Sequence, residues 1–272
     1  MIIIPQQPAG GVGKTSTSIL CFEVLQAAGL APLAGEVERA NDRKFSELLK
    51  AQGLQPHPSV NIILPDPAAL AAAPKKALYI LEPLFELLTE ASTRHAVVDL
   101  AAGVAVQFLK AVASNDIQTL VEDEGKHLVF LPITLAHDRT QRVRALQMAD
   151  ATRKLFPRAR IILTLNQMPL DSDEKDEIIA SLEEGLNMEA MGRRVFDDYM
   201  VIEEDRSDLR ARLYEGMHLP PRFILDMPLE AIQEATKLSR IVTRGERNLF
   251  AQWYERTTRE IARALRLNLP GA

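Results

Sequence analysis

The stretch Gly10-Gly11-Val12-Gly13-Lys14-Thr15-Ser16 stands between an apolar run, Met1 to Ile4, and a helical pattern running from Lys14 to Ala28. Strand, glycine loop and helix in that order leave few folds open. Glycine permits the positive φ of a tight strand-to-helix turn. Backbone N–H groups turned inward at a helix N-terminus form a partly positive cradle for a phosphate chain. Lys14 stands where it reaches the β- and γ-phosphates, and the Thr15 hydroxyl where it ligates Mg²⁺. Residues Gly10, Gly11, Val12, Gly13, Lys14, Thr15 and Ser16 are therefore the candidate nucleotide-binding set. A glycine turn without a ligand is the alternative; Gly-Lys-Thr directly after a strand favours the phosphate loop.

The rest of the chain repeats the strand–helix alternation. Strands are expected at Pro32–Val37, Val60–Leu64, His95–Leu100, His127–Ile133 and Arg160–Asn166. Helices are expected at Asp42–Ala51, Ala77–Glu90, Val104–Ala113 and Asp138–Phe156, with Asp138 an N-cap. Apolar strands separated by helices predict a doubly wound, mostly parallel sheet with helices on both faces. Ligands in such sheets bind at the carboxyl ends of the strands. The 272 residues fit one domain, with 171–272 mostly helical and offered to a partner or DNA.

Asp99 closes the apolar run His95–Leu100, where an acid can hold the metal of a Mg²⁺–nucleotide site. A helix N-cap is the other reading. Cys21 is the only cysteine, which excludes a disulfide framework. The N-terminus lacks a signal-peptide pattern and no apolar run approaches the ~20 residues of a membrane span, so the expected compartment is the cytoplasm. A net charge of -5 argues against binding nucleic acid by overall charge and leaves room for a local basic patch.

From Gly10 onward the loop resembles the deviant Walker A motif of ParA/MinD ATPases, K-G-G-x-G-K-S/T. It departs just before: Pro8 stands where the general phosphate loop has its first glycine, and Ala9 where the family has its signature lysine. Asp99-Leu-Ala-Ala-Gly103 resembles the family's D-x-P-A-G. Gly29 to Ala40 aligns without gaps on G-K-x-V-L-x-I-D-x-D-P-Q, with Glu36 and Glu38 at the two aspartates. The resemblance implies ATP with Mg²⁺, Thr15, Asp99 and Glu36 toward the metal, and Lys14, Glu38 and Asp99 as catalytic groups. It sets Asn166 against adenine, as an amide at a late strand end.

It further implies an ATP-dependent homodimer, slow hydrolysis, a regulatory partner protein, and partition, positioning or conjugative transfer of DNA such as a plasmid. Alanine at position 9 cannot supply the lysine's charge across a dimer. Arg39 or Arg43 would have to replace it, with Asp42 a substitute acid near Glu38. The alternatives are a nucleotide switch that hardly hydrolyses, or a P-loop ATP-dependent biosynthetic enzyme.

The last helix, expected over Asn248–Leu267, sets Leu249, Phe250, Trp253, Tyr254, Ile261 and Leu265 on one arc. Arg256, Arg259, Arg263 and Arg266 lie opposite, as candidate contacts to DNA phosphates or a solvated face. Arg139, Arg142, Arg144, Arg153 and Lys154 form a second basic cluster. The apolar arc is needed to cover the domain, so membrane binding is not expected.

Overall fold

The computed structural model describes residues 1–7, 10–38, 44–51, 59–63, 74–90, 95–101, 104–114, 116, 117, 119, 127–169, 173, 176–180, 189, 190, 193–217 and 219–269. Strands β1 (Ile2–Gln6), β2 (Leu33–Glu38), β3 (Ser59–Ile63), β4 (Ala96–Leu100), β5 (Leu128–Leu135) and β6 (Arg160–Met168) alternate with helices. These are α1 (Lys14–Ala27), α2 (Lys44–Ala51), α3 (Pro74–Glu90), α4 (Val104–Ser114) and α5 (Arg139–Leu155). A hairpin of β7 (Glu189–Ala190) and β8 (Arg193–Arg194) precedes β9 (Asp198–Glu203). A π-helical segment (Arg210–Glu215), α6 (Pro221–Asp226), α7 (Leu229–Thr236) and α8 (Arg240–Leu265) follow.

Seven strands form one sheet in the order β3-β2-β4-β1-β5-β6-β9, each pair parallel. The expected doubly wound α/β architecture is the observed one. The strand period of two sorts side chains between its faces. Ile2, Ile4, Val98, Leu100, Phe130, Leu163 and Leu165 enter a core shared with α3, α4 and α5. Ile3, Ala34, Val97, Leu131 and Ile162 enter the other, beneath α1, α2 and α8. By the same alternation Glu36, Glu38, Asp99 and Asn166 face the α1 side. β2 is poor in β-branched residues for a packing reason. A Cβ on Gly35 would meet Leu87 of α3 at 3.0 Å and Val98 at 3.3 Å.

Helix α1 lies between the sheet and α8 and is buried from Thr17 to Leu25. That double burial explains why its apolar residues are not confined to one side. The last helix differs from expectation in two ways. It begins at Arg240, capped by the Ser239 side chain, so it includes Arg240, Arg244 and Arg247. Its buried face holds Phe250, Trp253, Ile261 and Leu265, but Leu249 is 45% exposed.

Strand β9 is the element the sequence reading passes over. It is the outer strand of the sheet, and only Met200 and Ile202 are buried. Helix α8 closes its outer edge with side chains. Arg263 Nη2 donates to the Tyr199 carbonyl (2.6 Å), Val201 N donates to Glu260 Oε1 (3.1 Å), and Trp253 Nε1 donates to the Glu203 carbonyl (2.9 Å). Edge groups that would pair with another strand are thereby occupied.

The second basic cluster does not form one surface. Arg153 is fully buried, and its guanidinium ties α5 to the segment before β9. It donates to the Ala159 carbonyl (2.7 Å), the Val195 carbonyl (3.2 Å) and Asp197 Oδ2 (2.6 Å). Arg142 bonds the Ala136 carbonyl, and Lys154 pairs with Asp150 at 2.6 Å. The reason is geometric: a long helix packed on a sheet must bury one of its faces, and Arg153 falls there.

Candidate functional site

Gly11 and Gly13 have φ of +74° and +86°, the left-handed region that L side chains avoid. At Gly13 space also forbids a side chain, because a Cβ would lie 2.3 Å from Asn166 Nδ2. That amide donates to the Val12 carbonyl at 2.9 Å, so the end of β6 pins the loop after β1. The sequence resemblance sets Asn166 against a base; its described contact is with the loop itself. Gly13 is also the N-cap of α1 and supplies no side chain to it. The first-turn N–H groups of an α-helix have no intrahelical acceptor, and here they sit at its positive end.

Thr15 and Asp99 are brought together as expected. Thr15 Oγ1 donates to Asp99 Oδ2 and Ser18 Oγ to Asp99 Oδ1, each at 2.8 Å. Ser18 is an addition to the expected site. Its signal is present: one helical turn beyond Thr15, it shares that residue's face. Glu36 stands directly beside Asp99 in the β2–β4 register. Its carboxylate accepts from Phe45 N (2.8 Å), Ser46 N (3.2 Å) and Ser46 Oγ (2.5 Å). It thus receives the amides of the first turn of α2, a contact the sequence reading misses. Oxygens of Glu36, Glu38 and Asp99 all lie within 4.8 Å of one another.

The electrostatics follow from burial. Asp99 is 1% and Glu36 2% exposed. Desolvation raises both carboxyls above their ordinary range. It outweighs the bonds from Ser18 and Thr15 and the Lys14 charge at Asp99, and the Ser46 and Phe45 bonds at Glu36. Burial likewise lowers Lys14 below its usual value, against the opposing pull of Asp99 and Glu38. The oxygens are hard donors and their charges are costly in this setting. That set fits Mg²⁺, which prefers carboxylate and hydroxyl oxygens and would offset the cost.

One buried residue near the loop is unforeseen. Tyr214, in the π-helical segment, hydrogen-bonds the Ser16 side chain, and desolvation raises its hydroxyl pKa. π-Helical turns are rare and recur at functional sites. No motif in the sequence marks it.

Pro8, Ala9, Arg39, Asp42, Arg43 and Gly103 lie outside the described residues. The arginines of α8 do not converge on the loop. Arg256 pairs with Glu203 (2.9 Å), Arg259 with Glu255 (2.6 Å), and Arg263 with Glu260 (2.8 Å) and Asp198 (3.5 Å); Arg266 is exposed at the helix end. Among the described residues no helix is long and apolar enough to cross a membrane.

No family model and no curated protein matches the chain. Among solved structures it is similar to the ATP complex of a point variant of McdA from Cyanothece. The likeness has 14% identity and a TM-score of 0.49, and covers 98% of this chain and 96% of that one.

Proposed function

We propose that this protein binds ATP with Mg²⁺ and hydrolyses it slowly, as an atypical ATPase of the ParA/MinD kind. The observation that carries the reading is the convergence of the Gly10–Ser16 loop with the strand-end acids. Thr15 and Ser18 on α1 share Asp99, and Glu36 and Glu38 stand beside it.

The loop amides bind and orient the phosphate chain. Lys14 matches the charge that develops on the terminal phosphoryl group in the transition state. Thr15, Asp99 and Glu36 are the residues that would hold the metal. Mg²⁺ bound there supplies neutralisation of the phosphate oxygens. Glu38, less buried than its neighbours, orients the attacking water. Asp99, by accepting from both Thr15 and Ser18, fixes the hydroxyl of Thr15 in one direction.

Dimerisation on ATP, a regulatory partner, and a role in positioning or partitioning cargo such as plasmid DNA follow from the sequence resemblance alone. DNA binding through α8 is not proposed, because three of the four candidate contacts, Arg256, Arg259 and Arg263, already meet acids of the same chain. The test is titration with ATP and Mg²⁺, followed by turnover, in wild type and Lys14→Ala. Binding and turnover that both fall in the variant support the ATPase. Tight binding with turnover no better than the variant makes the protein a nucleotide switch. No binding refutes both.

A further inference from the structure

The N-terminal half of α8 carries an apolar ridge that the fold does not cover. Ile241 is 87% exposed, Val242 45% and Leu249 45%. Ile241, Gly245 and Leu249 follow each other at i, i+4 and i+8, the spacing of a ridge along a helix surface. The opposite side of the helix is the docked one, with Thr243 and Phe250 buried.

Gly245 makes this ridge more than scattered exposure. Glycine in the interior of a helix is unfavourable relative to alanine, through backbone entropy. The usual reasons for keeping one are missing: its φ is not in the positive region, and a Cβ there would meet nothing within 4 Å. The intramolecular structure therefore gives no use for the missing side chain. A notch between Ile241 and Leu249 is what a second helix needs to approach closely. Arg240 and Arg244 are exposed along one flank of the ridge.

We infer that this ridge is a docking surface for an amphipathic helix of another protein, with apolar residues entering the Gly245 notch and acidic residues facing Arg240 and Arg244. Charge decides between occupants. Two copies of this chain packed antiparallel about Gly245 would bring Arg244 against its own counterpart. A lipid surface has no use for the notch, and the three exposed apolar side chains include no aromatic. The inference is independent of the nucleotide reading, since it uses no residue of the loop or its acids.

The probe is a displayed library of 18-residue helical peptides with randomised apolar and charged positions, selected on the whole protein. Selected peptides should carry apolar residues at i, i+3/i+4 and i+7 with flanking acids. Their affinity should fall at least tenfold in Gly245→Leu and in Arg240→Glu/Arg244→Glu. Failure to enrich such peptides, or binding indifferent to both variants, overturns the proposal. Gly245→Ala should raise the melting temperature by about 2 °C, because it removes only a backbone penalty. A fall instead would show an internal role for this glycine and also overturn it. Sedimentation that shows a dimer lost in Gly245→Leu would overturn it by assigning the ridge to a second copy. Co-sedimentation with phosphatidylglycerol vesicles, lost in Ile241→Asp, would overturn it by assigning the ridge to a membrane. ATP titration of each variant is the control: unchanged affinity separates failure at this ridge from failure of the nucleotide reading.

Discussion

The carboxyl ends of β2 and β4 and the outer edge at β9 treat buried charge in opposite ways. At the first, Asp99 and Glu36 accept only neutral hydroxyls and amides among their described hydrogen bonds, and desolvation wins, so both titrate above the ordinary carboxyl range. At the second, the buried Arg153 meets Asp197 and three carbonyls directly, and the helix–strand seam is matched donor to acceptor. One region keeps an unfavourable electrostatic state that a cation can relieve. The other meets its charges with acceptors of the same chain, the Nε of Arg153 alone of that guanidinium lacking one among the described residues. Responsiveness and rigidity are thus separated across one sheet.

Breaking the closed region should cost most. Arg153→Met removes the cation of a buried pair and leaves Asp197 with the Ile161 amide but without that charge partner, so denaturation should show a loss of about 3 kcal/mol, the low end for such pairs because Asp197 is 18% exposed. ATP affinity of the remaining folded protein should not change. In the responsive region, Lys14→Ala should lower ATP turnover roughly 10²–10³-fold with little change in melting temperature. A stability loss as large as that of Arg153→Met would erase the contrast.

Gly13→Ala sharpens it further. A left-handed alanine costs about 1–2 kcal/mol, and its Cβ collides with Asn166. Asn166→Ala should cost about 1 kcal/mol for the lost bond to Val12. The double variant should lose less than the sum, because the smaller side chain clears the collision. Strict additivity in a denaturation cycle would mean that the two residues do not meet.

The smallest effect is in pH. A carboxyl with a folded pKa above its unfolded one binds more protons in the native state. Its contribution is present below the unfolded value and is lost as pH rises through the folded one. Metal-free protein should therefore melt higher as pH falls from neutral toward the ordinary carboxyl range through the Asp99 and Glu36 contributions, and saturating Mg²⁺ should flatten that slope. The Mg²⁺-dependent difference isolates the site from Asp205, which burial also pushes up, and from His95, which burial pushes down.

Most of the sheet is legible in the sequence because β1 and β4 to β6 are buried on both faces and read as apolar runs. β9 is not, because an outer strand shows only Met200 and Ile202 to the core and places Asp198 and Glu203 at its ends. At the site, Thr15 and Asp99 are legible from motif and strand position. The hold of Asn166 on Val12 is not, since the same residue at the same strand end can face a base or a loop. Ser18 and Tyr214 belong to no motif; the helical face of one and the π-helical segment of the other place them. Leu249 misleads because a wide apolar arc is assigned whole to the interior, while part of it meets solvent.

The seam between α8 and β9 also bears on synthesis. Glu260 and Arg263 lie 59 and 64 residues after the strand positions they cover. During translation β9 emerges first and must wait for them. At the 5–20 residues per second of elongation, that leaves the outer strand uncovered for roughly 3–13 seconds on each nascent chain. Early termination before Glu260 would make that interval permanent, and such fragments should aggregate through β9 even with every nucleotide-site residue present.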